Sequence, residues 1–292
     1  MPIDVSDVAG EPEGARVAAE LPPVIDAHVH VFPDAIFRAL WRWFDEYGWP
    51  VRYQLYADDV IAHLKSRGVR DVVLLHYAHK PGIARSMNAF VAALVRRHGV
   101  TGMATVAPDD DDVAAILDEA FAAGLRGVKL HTHVQGVAAD DRRLFAVYEL
   151  CQERALPVVI HAGREPKSDA LPVDPYTICD ARRLEAVLRA FPRLRVCVPH
   201  LGADEFADYA RLVRTYDTLW LDTTMMLGDF FDVPGAVDVV KARPDRVLYG
   251  SDFPNVPYAW DRELKCIARL GLPDRALELL LAENARQLFG LS

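Results

Sequence analysis

The chain has 292 residues, 51% of them hydrophobic, and a formal net charge of −9 at pH 7. This length is long for one β-sandwich and suits one barrel of roughly 250 residues. No apolar run approaches the roughly 18 residues that a membrane span needs, and no leader-like segment opens the chain. Phosphate binding needs clustered Lys and Arg, which the sequence lacks. We therefore expect a cytoplasmic protein acting on a small molecule, with neither membrane nor nucleic acid as partner; a homo-oligomer is compatible with the sequence.

The cysteines are scattered and form no C-x-x-C pair. They are Cys151, Cys179, Cys197 and Cys266. This spacing is typical of buried thiols rather than of a disulfide framework or a zinc knuckle. It fits a reducing compartment.

Residues 1–22 are acidic, contain Pro and Gly, and show no sustained hydrophobic period. Such a composition predicts a mobile arm. The following part of the chain, residues 23–292, is predicted to be one domain.

Short apolar segments alternate with amphipathic ones along that domain. Strands are predicted near 24–30, 69–77, 100–107, 125–131, 157–162, 195–201, 219–224 and 247–252, and helices at 57–67, 85–97, 112–123, 141–154, 181–190 and 204–215. Eight nearly continuous apolar strands separated by helices predict a parallel sheet closed into a (β/α)₈ TIM barrel of the α/β class.

The segment between the first two strands is too long for a simple crossover. It contains the aromatic residues Trp41, Trp43, Phe44, Tyr47 and Trp49. This insertion can add core outside the barrel wall, or it can form a lid whose aromatic rings face a substrate.

The first predicted strand contains two histidines, His28 and His30, and an aspartate, Asp26, two residues before the first of them. Because side chains alternate along a strand, all three are expected on one face, with the two imidazoles roughly 7 Å apart at Cα. Taken alone, an H-x-H pair fits a metal site and an ordinary strand end equally well.

Polar residues close other predicted strands in the same way. Lys129 and His131 end strand four, and His161, His200 and Asp252 end strands five, six and eight. The carboxyl ends of barrel strands meet at one mouth, so these residues are expected to be neighbours. Neutral imidazole and carboxylate suit zinc, manganese or iron. Four other histidines lack such a pattern and are interpreted as structural; they are His63, His76, His79 and His98.

These motifs resemble the amidohydrolase superfamily, and within it the amidohydrolase 2 group. The motifs are H-V-H at 28–30, V-K-L-H at 128–131, V-I-H-A-G at 159–163, P-H-L-G at 199–202, G-S-D-F-P at 250–254 and the ending E-N-A-R-Q-L-F-G at 283–290. The resemblance extends from about residue 24 to the C-terminus.

The resemblance implies a barrel enzyme with one divalent metal, most simply zinc, although manganese or iron would suit the same ligands. The implied ligands are His28, His30, His161 and Asp252. His200 would be a second-metal ligand or a catalytic acid/base. Lys129 could be carboxylated and bridge two ions, pair with a carboxylate such as Asp26, or bind an anionic substrate.

A metal at this mouth would activate water, with Asp252 accepting its proton and His200 binding the developing oxyanion. Lys129, His131 and Arg164 are candidates to bind substrate, with Arg164 suited to a carboxylate. His133 fits a role at the mouth or an exposed loop. The first hypothesis is a hydrolase of a small amide, lactone or ester. The alternatives are a non-oxidative decarboxylase of the aminocarboxymuconate semialdehyde type and a catalytically silent binding barrel.

Overall fold

The computed structural model describes residues 4–165, 167–171 and 173–291. Its parallel strands are Ile25–His30 (β1), Asp71–Leu75 (β2), Thr101–Gly102 (β3), Val128–His131 (β4), Val158–His161 (β5), Val196–Val198 (β6), Leu219–Asp222 (β7) and Val247–Leu248 (β8). β1 to β3 form one sheet and β4 to β8 another. Isolated bridges from Ala104 to Val128 and from Val29 to Phe253 join the two sheets at both edges. The predicted TIM barrel is confirmed.

Helices follow the strands around the outside. They are Val5–Ala9 (α1), Asp34–Tyr47 (α2), Ala57–Ser66 (α3), Ala84–His98 (α4), Val113–Ala122 (α5), Thr132–Gln135 (α6), Phe145–Glu153 (α7), Pro175–Ile178 (α8), Ala181–Ala190 (α9), Phe206–Thr215 (α10), Ala236–Ala242 (α11), Arg262–Arg269 (α12), Asp274–Glu278 (α13) and Asn284–Phe289 (α14). Short 3₁₀ turns span Arg142–Leu144, His200–Gly202 and Pro244–Arg246, and one π-helical turn spans Leu279–Glu283. Within the described residues, no helix is long and apolar enough to cross a membrane.

Local sequence signals set several helix ends. The side chains of Asp112 and Asp180 accept hydrogen bonds from backbone N–H groups in the first turns of α5 and α9. Such caps satisfy amide donors that have no partner inside the helix. α4 ends at Gly99, whose φ of 62° lies in the left-handed region that glycine adopts without strain.

Two apolar layers follow from the alternation of side chains along the strands. Outward residues such as Val128, Val158 and Leu221 pack beneath the helices. A smaller inner cluster fills the barrel and is closed at one end by α14; it includes Ile25, Ala27, Val73, Leu75, Met103, Val159, Cys197, Trp220, Leu248, Leu288 and Phe289. The inward position two residues beyond Val159 is His161, and that beyond Trp220 is Asp222. The polar residues therefore lie directly above an apolar floor.

The alternation breaks in β1, and the prediction that Asp26 shares a face with both histidines is wrong. The register of β1 against β2 shifts between Asp26 and Val29. Ile25 and Ala27 belong to the inner cluster, whereas Val29 packs in the outer one. The Asp26 carboxylate accepts hydrogen bonds from Ser251 and does not join the imidazoles. A bulge of this kind re-aims the side chains that follow it.

The N-terminal segment lies against the barrel. The Glu11 side chain pairs with Arg262, the Glu13 carboxylate lies 3.0 Å from Arg67, and the Gly14 amide donates to Asp261. The mobility inferred from composition stays a prediction, which these contacts oppose.

The aromatic insertion after β1 is present as predicted and packs on the barrel wall. Phe37 is fully buried and stacks on Trp41, whose ring lies 5.3 Å from that of Tyr56. The Trp49 indole donates to the Asn255 carbonyl at 2.8 Å. These contacts make the insertion an extension of the core, and a role as lid stays a prediction.

Candidate metal centre

Three of the predicted ligands converge at the barrel mouth. The Nε2 atoms of His28 and His30 are 3.2 Å apart, and Asp252 Oδ1 lies 3.4 Å from the first and 3.0 Å from the second. Atoms bound to one ion at about 2.0–2.1 Å are roughly 3.0–3.5 Å from one another. The three atoms therefore already have the spacing of ligands on one face of a metal ion.

The hydrogen bonding of His28 sets which of its nitrogens faces this point. Its Nδ1–H donates to Asp222 Oδ2 at 2.9 Å, so Nε2 carries the lone pair. Burial lowers the pKa of His28 to about 4, which keeps the imidazole neutral. A neutral imidazole oriented by an outer carboxylate is the usual form of a metal ligand. The residues present thus fit a divalent cation.

Asp252 is brought to the centre by the turn that follows β8. Its backbone N–H donates to the His28 carbonyl at 3.0 Å, and its φ is 65°. Gly250 allows this close approach, since a Cβ there would lie 2.7 Å from that of His28. Burial opposes ionisation, but the neighbouring histidines hold the pKa of Asp252 well below its usual range. The centre therefore offers one negative charge.

Lys129 lies inside the barrel beside the three candidate ligands. It is fully buried, and its Nζ is 3.5 Å from His28 Nε2. None of the ion pairs among the described residues includes it, and Asp26 is already bonded to Ser251. Burial lowers the pKa of Lys129 to about 8. The Lys129–Asp26 pairing considered from the sequence is thus not formed.

His200 lies near the rings of both His28 and His161. Its backbone N–H donates to Asp222 Oδ1, and its Nδ1–H donates to the Thr224 carbonyl at 3.0 Å. Its Nε2 is therefore the nitrogen with the lone pair. The His200 ring lies 5.9 Å from that of His28 and 4.6 Å from that of His161. This position suits either of the two predicted roles.

His161 adjoins this group but does not join it. The structure instead gathers it with His133 and Glu165, in a second set of potential ligand atoms within 4.8 Å of one another. His161 Nε2 lies 2.6 Å from Glu165 Oε1, and His133 Nδ1 lies 3.4 Å from Oε2. Burial lowers the pKa of His161 to about 3, so the ring is neutral. Its role as the fourth ligand stays a prediction.

His131 continues the row of imidazoles on the same side. Its ring stacks on His161 at 4.2 Å and lies 4.8 Å from that of Tyr77, which in turn contacts His30 at 5.9 Å. Tyr77 was not singled out from the sequence, where it is one aromatic residue after an apolar strand. Both rings border the mouth, which is consistent with substrate contact.

Arg164 is bound to partners other than the candidate ligands. Its Nε–H donates to the Cys179 carbonyl and its Nη2 lies 2.9 Å from Asp180 Oδ2, with the guanidinium over the Tyr176 ring. These partners occupy the donors that a substrate carboxylate would need. Binding of substrate by Arg164 stays a prediction, and its present contacts anchor the loop after β5.

Two acidic residues of the site were missed from the sequence. Asp222 ends β7 at an inward position, as His131 and His161 end their own strands; this strand-end position is the signal that could have found it, although no motif marks it. Glu165 follows His161 by four residues in a loop, where no strand periodicity indicates its direction.

The protein is thus a parallel β/α barrel in which imidazole and carboxylate groups converge at the mouth. This combination places it among barrels with a candidate metal centre. A family model described as "Amidohydrolase" matches residues 25–291. The chain belongs to this family, and the resemblance seen in its motifs is confirmed. A search of curated proteins finds no match.

Solved structures show the same fold at low sequence identity. An uncharacterized TIM-barrel protein from Bordetella bronchiseptica is 20% identical, with a TM-score of 0.70 over 92% of this chain and 99% of that one. A 5-carboxyvanillate decarboxylase from Novosphingobium aromaticivorans, complexed with manganese and a nitrobenzoic acid, is 16% identical, with a TM-score of 0.72 over 97% and 100%. A probable 2-pyrone-4,6-dicarboxylic acid hydrolase from Acinetobacter baumannii is also 16% identical, with a TM-score of 0.62 over 92% and 100%.

Proposed function

We propose that the protein is a metal-dependent hydrolase of a small amide, lactone or ester that bears a carboxylate. The observation that carries the proposal is the convergence of His28 Nε2, His30 Nε2 and Asp252 Oδ1 within 3.4 Å of one another. The three atoms have the mutual spacing of ligands of one ion, and a cation between them would stabilise the close approach of the carboxylate and the imidazole nitrogens. Zinc suits this set, as do manganese and iron, and His161 would complete it as the fourth ligand.

A divalent ion bound there supplies Lewis acidity to a substrate carbonyl and lowers the pKa of a water molecule. Asp252 accepts the proton of that water through the carboxylate oxygen that does not face the imidazoles, and passes it to the leaving group. His200 uses Nδ1–H for the Thr224 carbonyl, which leaves Nε2 for the substrate; when protonated, Nε2 would donate a hydrogen bond to the developing oxyanion.

The buried cation of Lys129 gives a reason to expect an anionic substrate. An ammonium group with no carboxylate at ion-pair distance among the described residues is costly to bury, even though Asp222 and Asp252 lie near enough to favour its charge. A substrate carboxylate bound next to Lys129 would supply the missing negative charge. His131 and Tyr77 would then border the remainder of the substrate.

Decarboxylation is the second candidate, and the same Lys129 favours it. A carboxylate held against a buried ammonium, beside the metal, is placed to leave as carbon dioxide while a neighbouring acid protonates the carbon. The fold is shared with a decarboxylase as well as with a probable hydrolase. The V-K-L-H motif of β4 resembles that of the hydrolases in the group more than that of its decarboxylases. This resemblance is the reason for placing hydrolysis first.

Turnover in oxygen-18 water separates the two reactions. Zinc- and manganese-loaded protein would be tested on carboxylate-bearing lactones and amides and on hydroxylated aromatic acids, with metal-stripped protein as the control. Label in a new product carboxylate is expected. Release of carbon dioxide without such label would overturn hydrolysis in favour of decarboxylation.

A further inference from the structure

The Nε2 atom of His161 is already occupied by a protein partner. It lies 2.6 Å from Glu165 Oε1, slightly shorter than the about 2.7–2.9 Å of hydrogen bonds between a nitrogen donor and a charged oxygen. A carboxylate accepts hydrogen bonds only, so Nε2 must carry the proton. In a neutral ring the lone pair is then on Nδ1. Any metal bound by His161 in this arrangement would have to bind Nδ1.

This arrangement is the reverse of that in His28. There, Nδ1–H donates to Asp222 and Nε2 faces the other ligands. Both imidazoles thus have a carboxylate on one nitrogen and leave the other nitrogen available. Outer carboxylates of this kind fix the tautomer and ring orientation of metal-binding histidines.

Glu165 is itself held from a second side. Its Oε2 lies 3.4 Å from His133 Nδ1, while His133 Nε2–H donates to the Gly163 carbonyl at 2.9 Å. The loop that carries Glu165 is fixed by the bridge between Arg164 and Ala203. The carboxylate therefore has a defined position relative to the end of β5.

The plane of the His161 ring is also fixed. His131 stacks on one side at 4.2 Å with an interplanar angle of 14°, and His200 packs at 4.6 Å. A buried ring packed against two others cannot easily turn over to exchange its nitrogens. The hydrogen bond to Glu165 thus selects one of two orientations.

We propose that Glu165 is a positioning residue that holds His161 as the Nε2–H tautomer and leaves Nδ1 as its metal-binding nitrogen. The proposal rests on the proposed metal site. It gives Glu165 the function of orienting His161, and His133 the function of holding the Glu165 carboxylate in place.

A second cation between His133, His161 and Glu165 is the competing explanation, since their atoms lie within 4.8 Å of one another. Two ligands of one ion are roughly 3.0–3.5 Å apart, whereas His161 and Glu165 are 2.6 Å apart. The shorter distance fits a shared proton better than a shared metal.

Nitrogen-15 NMR of the metal-free wild-type protein tests the tautomer directly. Long-range couplings between ring nitrogens and carbons are expected to show the proton of His161 on Nε2. A proton on Nδ1 would overturn the proposal without any substitution being made.

Metal affinity then tests the consequence. Glu165→Ala is expected to weaken zinc and manganese binding about 10- to 100-fold, measured by competition with a chromophoric chelator. Glu165→Gln keeps an acceptor oxygen for Nε2–H and should restore the tautomer and part of the affinity. Asp169→Asn, on the same loop and exposed, is the control and should bind metal as the wild type does.

The outcomes separate this proposal from the proposed function. A wild-type protein that binds neither metal would overturn the metal site itself. Wild-type affinity in a folded Glu165→Ala protein would overturn the positioning role alone. A third outcome is two metal equivalents per chain in the wild type and one in both Glu165 variants. It would overturn the positioning role and indicate that Glu165 is a ligand of a second cation. If Glu165→Ala fails to fold, Glu165→Gln and the wild-type tautomer still decide.

Discussion

The Asp222 carboxylate binds the His28 imidazole across the barrel interior, with Oδ2 2.9 Å from Nδ1 and both side chains buried. The two residues are 194 positions apart in sequence, and the hydrogen bond joins β7 to β1. Burial favours protonation of Asp222, but its attraction to His28 and their hydrogen bond lower the pKa of the carboxyl to about 2. Asp222 therefore orients the imidazole of His28, a proposed metal ligand, and would not itself need to bind the metal.

Asp222→Asn should weaken metal binding about 10- to 100-fold, because the charge that orients and polarises His28 is lost. Chelator competition measures the affinity. Glu263→Gln is the matched control: burial raises the pKa of Glu263 well above its usual range, so glutamine closely replaces the protonated acid. Equal affinities in wild type and Asp222→Asn would remove the orienting role.

Asp252→Asn should lower turnover at least about 100-fold with the fold intact, since it removes the proposed proton acceptor and a charged ligand. Circular dichroism should be unchanged. Metal content measured in the same sample separates loss of the ligand from loss of the base. Wild-type activity in this variant would exclude Asp252 from the mechanism.

The sequence predicted the barrel because strand alternation and helix periodicity are local properties. It also predicted which residues end at the mouth, because those residues close apolar strands. The bulge in β1 could not be predicted, since it depends on pairing with β2 and on the contact of Asp26 with Ser251. The direction of Glu165 was equally hidden, because a loop residue is placed by its partners, here His133 and His161, and not by a period.

Asp222 shows a different reason for a missed residue. Its position in β7 was predicted, yet a single aspartate at a strand end has no motif to distinguish it. Its role becomes visible only in the structure, where the Asp222 carboxylate accepts the hydrogen bond from His28 Nδ1–H. Ligands can thus be proposed from spacing, whereas the residues that orient them require the three-dimensional contacts.

Lys129→Met should leave about one metal equivalent per chain, because a mononuclear site does not need this lysine.

The same variant should also be more stable than the wild type. The buried ammonium has a pKa of about 8 rather than 10.5, so its protonated form is disfavoured by burial. A shift of that size corresponds to about 3 kcal/mol, and the variant should unfold at higher temperature at pH 7. The unfolded chain binds more protons between pH 8 and 10.5, so wild-type stability should rise with pH there, and this rise should be absent from the variant.

Elemental analysis of protein purified without chelator checks the metal count of the Lys129 variant. Two equivalents in the wild type, falling to one or none in Lys129→Met and depending on bicarbonate, would contradict a mononuclear site. They would indicate a carboxylated lysine that bridges two ions, with His200 as a ligand.

His76 should make the protein sensitive to mild acid. It is fully buried, its Nε2–H donates to Asn88 Oδ1 at 3.1 Å, and burial lowers its pKa to about 4 from 6.5. The unfolded chain therefore binds more protons than the folded one between these values, so the stabilisation is complete above pH 6.5 and is lost as the pH falls toward 4. Between pH 7 and pH 5 the loss from this residue is about 2 kcal/mol. Urea unfolding of metal-free protein should show that the free energy of unfolding falls less between pH 7 and pH 5 in His76→Gln than in wild type. His79→Gln, at an exposed position, is the control and should change this loss of stability less. Equal losses in wild type and His76→Gln would contradict the assignment.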